Sequence, residues 1–138
     1  MEDEIMILNR FKEDFLQEQL QNVNPVLSPD EIKNARKTIE KITITDGLVK
    51  YIAEIVYTTR NNSDLFLGAS PRASLAILKS AKVYAALSGR NFVTPDDIQA
   101  AVIPVLNHRI ILSPEKEMDG TEVDEVILEL VKNIEVPR

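Results

Sequence analysis

The sequence contains no cysteine, and this absence removes several kinds of site from consideration. Without a thiol, the chain cannot form disulfides, zinc–thiolate centres or a cysteine nucleophile. It also has no apolar run near the ~18 residues that a membrane-spanning helix needs. Its acidic start, MEDEI, lacks the basic region of a secretory signal. We therefore expect a soluble, cytoplasmic protein without a membrane span.

Glycine is also scarce, and its spacing argues against a site that hydrolyses nucleotides. A phosphate-binding loop needs closely spaced glycines followed by lysine and Ser/Thr. The four glycines lie far apart and none precedes a lysine: Gly47, Gly68, Gly89 and Gly120. The only histidine, His108, has no companion donors at metal-ligand spacing, so we predict no metal site. We also expect no catalytic residue and no ATP hydrolysis by this chain alone.

The charge balance points away from nucleic acid. The 138 residues carry a formal net charge of -6, whereas nucleic-acid-binding domains usually present a basic field. The length and a hydrophobic content of 44% fit one globular domain that buries a core without disulfides or metal. We predict a single domain over residues 1–138 and no nucleic-acid partner, while a protein partner or a phosphate ligand stays open.

Two helices are predicted in the first third of the chain. The first covers Asp3 to Gln21, where five apolar residues recur at helical spacing: Ile5, Leu8, Phe11, Phe15 and Leu16. The second begins after Ser28, which suits an N-cap. Pro29 takes its first helical position, and Glu31 completes a capping box.

The next two helices flank a predicted loop over residues 61–69. Asp46 is expected to cap a helix from Gly47 to Arg60, whose inward residues share helical spacing: Leu48, Ile52, Ile55, Val56 and Thr59. A fourth helix begins at Ser70-Pro71 and ends near Ser88, and it is apolar around almost its whole circumference. Such a helix is usually buried, so we predict that it is the central helix of a bundle.

The last third of the chain predicts two more helices. One begins at Thr94-Pro95, and Pro104 inside it predicts a kink or an early end. Its apolar residues at helical spacing are predicted to face inward: Ile98, Ala101, Val102 and Val105. Residues 109–112 are predicted to be extended, and Thr121 is predicted to cap a final helix. Together these patterns predict an all-α orthogonal bundle of about five or six helices with almost no sheet.

The stretch before the fourth helix combines features that suit an anion. With Ser70 as N-cap, Arg72 is the second helical residue. A cation there costs about 0.3–1 kcal/mol, because the helix N-terminus already carries partial positive charge. The same arrangement could hold a phosphate between free N–H groups and a guanidinium. An ion pair between Arg72 and a surface carboxylate explains an arginine at this position equally well.

A series of motifs resembles the lid of one ATPase family. The stretch GASPRASLAIL, residues 68–78, resembles the start of the third lid helix in MoxR-type AAA+ ATPases. Further matching segments follow in the same order: Gly89-Arg90, VTPDDI at 93–98, PVL at 104–106, His108-Arg109 and ILSPE at 111–115. The resemblance covers residues 26–138, and residues 1–25 resemble the helix that follows the ATPase core.

The resemblance implies a nucleotide-responsive lid. It identifies Arg72 as the sensor-2 residue that reads the terminal phosphate of ATP, supported by Gly68, Ser70 and Pro71. His108 and Arg109 match a second recurring pair without an assigned role. ATP and Mg²⁺ are implied as ligands of a core that this chain lacks, as in a lid excised from an ATP hydrolase. The implied partners are that core, neighbouring subunits of a hexameric ring, and a von Willebrand factor A domain protein.

An alternative assigns the chain to a different class. The long fourth helix, the short Phe92-Val93 link and the next helix also suit a histone-fold type of interaction module without a nucleotide role. The acidic charge balance speaks against a DNA-binding version, whereas a protein-dimerising version stays open.

Overall fold

The structure is a computed structural model that describes residues 1–12 and 23–137. Within these ranges the chain forms seven helices and one two-stranded sheet. In chain order the elements are α1 (Glu2–Phe11), α2 (Pro29–Glu40), α3 (Asp46–Thr59), β1 (Leu65–Leu67), α4 (Pro71–Leu87), α5 (Pro95–Leu106), β2 (Ile111–Leu112), α6 (Pro114–Met118) and α7 (Val123–Lys132). The predicted helical fold with almost no sheet is confirmed.

The chain divides into two compact units, Met1–Asn34 and Ala35–Arg138, and the division falls within α2. In the first unit, the predicted first helix is confirmed over α1. Its predicted continuation to Gln21 lies outside the described residues, together with two members of its apolar pattern: Phe15 and Leu16.

The capping box at the start of α2 is confirmed. The Ser28 amide donates to Glu31 Oε2 at 2.7 Å, and the Glu31 amide donates to Ser28 Oγ at 3.2 Å. The bond from the Ser28 amide, and next the one that the Ser28 hydroxyl donates to the same carboxylate oxygen at 2.7 Å, lower the pKa of the Glu31 carboxyl. Each side chain satisfies a backbone donor that has no partner within the helix.

Two predicted caps are wrong by one residue. Asp46 lies inside α3, and Thr45 is the N-cap, accepting a hydrogen bond from the Leu48 amide at 3.4 Å. Glu122, and not Thr121, precedes α7. The reason is that the Thr121 amide donates to the Lys116 carbonyl at 3.1 Å, so Thr121 belongs to the turn that closes α6.

The core of the second unit lies between α3, α4, α5 and α7, and α4 packs most extensively against α5. All five inward residues predicted for α3 are buried, and Tyr51 joins them. The predicted inward face of α5 is also buried: Ile98, Ala101, Val102 and Val105. Helical periodicity therefore identified these two core faces correctly.

The prediction that α4 is buried all round is wrong. Its fully buried residues form one stripe at every fourth position: Ala73, Ile77, Ala81 and Ala85. Leu75 and Leu87, outside this stripe, are 58% and 78% exposed. Of the two outcomes expected at Pro104, a kink or an early end, the early end is wrong, because α5 continues to Leu106.

The small sheet corrects the loop prediction for 61–69. β1 and β2 pair antiparallel, with Leu65 opposite Leu112 and Leu67 opposite Ile111. The extended segment predicted near β2 is confirmed. β1 was not predicted, because three residues are too few to establish an alternation of apolar and polar side chains. The short helix α6, capped by the Ser113 hydroxyl, is an addition to the predicted elements. Within the described ranges no helix is long and apolar enough to cross a membrane.

Candidate functional site

The C-terminal end of α3 holds the chain that leads into α4. The buried Thr59 hydroxyl donates to the Val56 carbonyl at 2.7 Å and accepts from the Ala69 amide at 2.9 Å. The next residue, Arg60, donates from Nη1 to the Ala69 carbonyl at 3.0 Å. Both backbone groups of the fully buried Ala69 are therefore bonded to the end of α3.

Gly68 is required here by a close backbone approach. A Cβ at this position would lie 2.5 Å from the Thr59 carbonyl oxygen and 2.6 Å from the Arg60 Cα. Both neighbours are backbone atoms, so neither can move aside by changing a rotamer. The glycine that the sequence places before the helix thus allows the chain to pass against α3.

The start of α4 places Arg72 as the sequence predicts. Ser70 is the N-cap, with φ -78° and ψ 163°, and Pro71 occupies the first helical position. Arg72 follows as the second helical residue, and its side chain is exposed. The first turn contains no acidic residue. In the described part of the chain, no hydrogen bond or ion pair joins the Arg72 side chain to another residue.

His108 and Arg109 contact each other just before β2. Arg109 Nε donates to His108 Nε2 at 3.1 Å. The Nη1 atom of Arg109 is buried and has no partner among the described residues. Because Leu67 pairs with Ile111, the strand leading to Gly68 runs beside the strand following Arg109. No direct bond between this pair and Arg72 is present in the described ranges.

A charged pair fixes the turn between α4 and α5. Arg90 donates to both carboxylate oxygens of the buried Asp97, at 2.6 and 2.7 Å. The Thr94 amide donates to the same carboxylate at 2.8 Å. The bonds from Arg90 hold the pKa of Asp97 below its usual range, with a smaller contribution from Thr94 and against the effect of burial.

The hydrogen-bond partners of Thr59 and Asp97 were not predicted, although the sequence contained a signal for each. Thr59 stood alone as a polar residue on the apolar face of α3, and a buried hydroxyl needs a bonding partner. Thr94 and Asp97 have capping-box spacing, with aspartate at the third helical position. The described residues contain no group of three carboxylate or histidine side chains that could hold a metal ion.

Sequence comparison identifies the family. Residues 57–130, more than half of the chain, match the family described as AAA lid domain. The chain is an AAA lid domain. The matched range includes the end of α3, the whole of α4 and α5, and the Arg72 and His108-Arg109 positions.

Individual relatives agree with this assignment. The lid is 34% identical over 118 residues to the uncharacterized protein YeaC of Bacillus subtilis, covering 86% of the lid chain and 37% of YeaC. It is 28% identical over 122 residues to the chaperone MoxR1 of Mycobacterium tuberculosis, covering 82% of the lid chain and 32% of MoxR1. The chain thus spans less than two fifths of either relative.

A solved structure shares the fold. The lid superposes with a TM-score of 0.77 and 29% identity on a protein from Cytophaga hutchinsonii provisionally assigned as an ATPase, covering 99% of this chain and 43% of that one. The predicted resemblance to the C-terminal lid of MoxR-type AAA+ ATPases is confirmed. The family assignment favours the lid over the histone-fold alternative.

Proposed function

We propose that this lid closes over ATP bound by an ATPase core and offers Arg72 to the terminal phosphate as the sensor-2 residue. The supporting observation is the exposed guanidinium at the second position of α4, which lacks a partner within the described ranges. A cation without a carboxylate at a positive helix end is unfavourable unless an anion is present. A phosphate would accept charge-assisted hydrogen bonds from the guanidinium and could also accept from the Arg72 amide. The neighbouring positions add no donor, because Pro71 has no N–H and the Ala73 amide donates to the Ser70 carbonyl at 2.8 Å.

The residues of this chain fit phosphate better than they fit magnesium. Arg72 supplies a planar donor group, whereas the described residues offer no carboxylate cluster for Mg²⁺. By resemblance to the family, the ligands of Mg²⁺ belong to the core of the full-length protein. Bound ATP supplies the terminal phosphoryl group, which hydrolysis would transfer to water as the bond to ADP breaks. Gly68, Ser70 and Pro71 hold the start of α4 so that Arg72 stays in place, and His108 and Arg109 form a secondary candidate just before β2.

At the level of the full-length protein, we propose that lid closure couples ATP binding and hydrolysis to chaperone-like remodelling or maturation of protein complexes. The mycobacterial relative, the chaperone MoxR1, supports this class of activity. By resemblance to the family, the partners are the core of the same polypeptide, neighbouring subunits of a hexameric ring in the cytoplasm, and a protein with a von Willebrand factor A domain.

The assignment of Arg72 is tested by substitution in the full-length polypeptide that carries this lid. Arg72→Ala is expected to lower turnover on the order of 10- to 100-fold, the usual effect of losing one charge-assisted hydrogen bond. Arg72→Lys should restore turnover only in part, because an ammonium cannot reproduce the planar fork. The melting temperature without nucleotide should stay unchanged.

The matched control is Arg36→Ala, which removes another exposed arginine, from α2. This control should retain the parent turnover. If Arg72→Ala also retained it, the sensor assignment would be wrong. A large fall in melting temperature for Arg72→Ala would make Arg72 a structural residue.

A further inference from the structure

We propose that Thr59 and Arg60 are positioning residues for Arg72, acting through the backbone of Ala69. This inference rests on the proposed function of Arg72 and extends it to the end of α3. We refer to the contacts of Thr59 and Arg60 with Gly68 and Ala69 as the α3–α4 clamp. Its parts hold the chain immediately before the helix that carries Arg72.

The clamp holds Ala69 by both of its backbone groups. The Thr59 hydroxyl accepts from the Ala69 amide at 2.9 Å, and Arg60 Nη1 donates to the Ala69 carbonyl at 3.0 Å. The Thr59 hydroxyl is itself oriented, because it donates to the Val56 carbonyl at 2.7 Å within α3. A hydroxyl with its proton committed in this way can only accept from Ala69.

Little freedom remains between the clamp and Arg72. Gly68 packs directly on the backbone of α3, with no room for even one carbon atom. Ser70 is extended at the N-cap, and Pro71 has its φ angle fixed by its ring. Arg72 follows at once. The Ser70 carbonyl accepts from the Ala73 amide at 2.8 Å. Each of the four residues before Arg72 is therefore restrained by a close contact, a backbone hydrogen bond or a ring.

The clamp connects Arg72 to the most buried part of the lid. Thr59 and Val56 each expose 1% of their surface, and α3 packs against both α4 and α7. A residue that must meet a phosphate needs a fixed backbone, because a misplacement of about 1 Å can cost on the order of 100-fold in rate. The geometry explains why a polar hydroxyl occupies an otherwise apolar face of α3.

The clamp is tested by paired substitutions in the full-length polypeptide. Thr59→Val keeps the side-chain shape but removes both hydroxyl bonds, while Thr59→Ser keeps the hydroxyl. Arg60→Met removes the guanidinium from an exposed position where the fold should tolerate the change, and Arg36→Met is its matched control. We expect turnover to fall about tenfold in Thr59→Val and Arg60→Met, within the range that misplacement produces. Thr59→Ser and Arg36→Met should match the parent.

A double-mutant cycle separates positioning from general stability. If the clamp acts through Arg72, adding Arg60→Met to Arg72→Ala should lower turnover no further, because the group being positioned is already gone. Amide hydrogen exchange in the 138-residue chain should show faster exchange at Ala69 in Thr59→Val than in Thr59→Ser.

The outcomes distinguish this inference from the proposed function. An Arg72→Ala variant with parent turnover would overturn the proposed function and, with it, the reason for a clamp. Reduced turnover in Arg72→Ala together with parent turnover in Arg60→Met would overturn the clamp alone. Additive losses in the double variant would also overturn it. Should Thr59→Val fail to fold, Arg60→Met and its cycle with Arg72→Ala still decide the question.

Discussion

Gly68 shows how strongly a single residue can be constrained when backbone approaches backbone. Gly68→Ala should destabilise the chain by about 1–3 kcal/mol, the usual cost of forcing extra atoms into a packed site. The reason is that the new methyl group would lie under 3 Å from three backbone atoms of Thr59 and Arg60. Urea unfolding of the 138-residue chain measures this change.

The matched control for this substitution is Gly47→Ala in the first turn of α3. Its nearest neighbour, a side-chain carbon of Pro137, lies at an ordinary contact distance of 3.4 Å. This variant should be neutral or slightly stabilising, because alanine is a better helix residue than glycine. Equal stability of Gly68→Ala and the parent chain would contradict the close approach.

The Arg90–Asp97 ion pair predicts how the stability of the chain depends on pH. Because Arg90 lowers the pKa of Asp97 in the folded chain, the carboxylate contributes stability at pH values above its unfolded pKa of about 3.9. This contribution is lost as pH falls through the lower folded pKa. Asp97→Asn should therefore lower the urea midpoint at pH 7, and the difference from the parent should shrink below pH ~4. A difference that stays constant from pH 7 to pH 3 would show that ionisation of Asp97 is irrelevant.

At the scale of the element, α4 shows what the periodicity of apolar residues can predict about burial and what it cannot. Its alanine-rich stripe allows close packing on α5, while larger residues such as Leu75 and Leu87 remain exposed. The sequence shows which residues are apolar, but not which side of an all-apolar helix a neighbour covers. That choice depends on the positions of other helices.

The same element gives a graded prediction for core substitutions. Ile77→Ala should cost about 2–5 kcal/mol, because Ile77 is fully buried and its removal leaves a cavity. Leu75→Ala should change stability by less than about 0.5 kcal/mol, since its side chain is mostly exposed. The half-buried Leu78, which packs against the core, should fall between them. Equal unfolding midpoints for the three variants would contradict the burial pattern.

The starts of helices were the most predictable local features. The long-range hydrogen-bond partners of individual side chains were the least predictable. Ser28-Pro29, Ser70-Pro71 and Thr94-Pro95 all begin helices as predicted, because cap and proline preferences act within a few residues. The clamp at Ala69 depends on residues nine and ten positions away along the chain. The clamp could be found only once the fold was known. One end of it was indicated by Thr59, the polar residue on the apolar face of α3.

At the scale of the whole molecule, the chain should bind its phosphate ligand only with a core. We expect phosphate release from ATP and magnesium by the 138-residue chain to equal the buffer blank, because the sequence lacks a phosphate-binding loop. An active-site variant of the full-length protein, purified in parallel, controls for contaminating ATPases. Turnover that persists through repurification of the chain would contradict this prediction.

The central claim is that Arg72 reads the terminal phosphate, and selective nucleotide binding tests it most directly. Calorimetry on the full-length polypeptide can compare the Kd of ADP with that of a non-hydrolysable ATP analogue, in the parent and in Arg72→Ala. The account predicts that the variant loses affinity for the triphosphate on the order of tenfold, as for one charged hydrogen bond, while its affinity for ADP stays unchanged. Equal affinities in parent and variant for both nucleotides, or an equal loss for both, would contradict it.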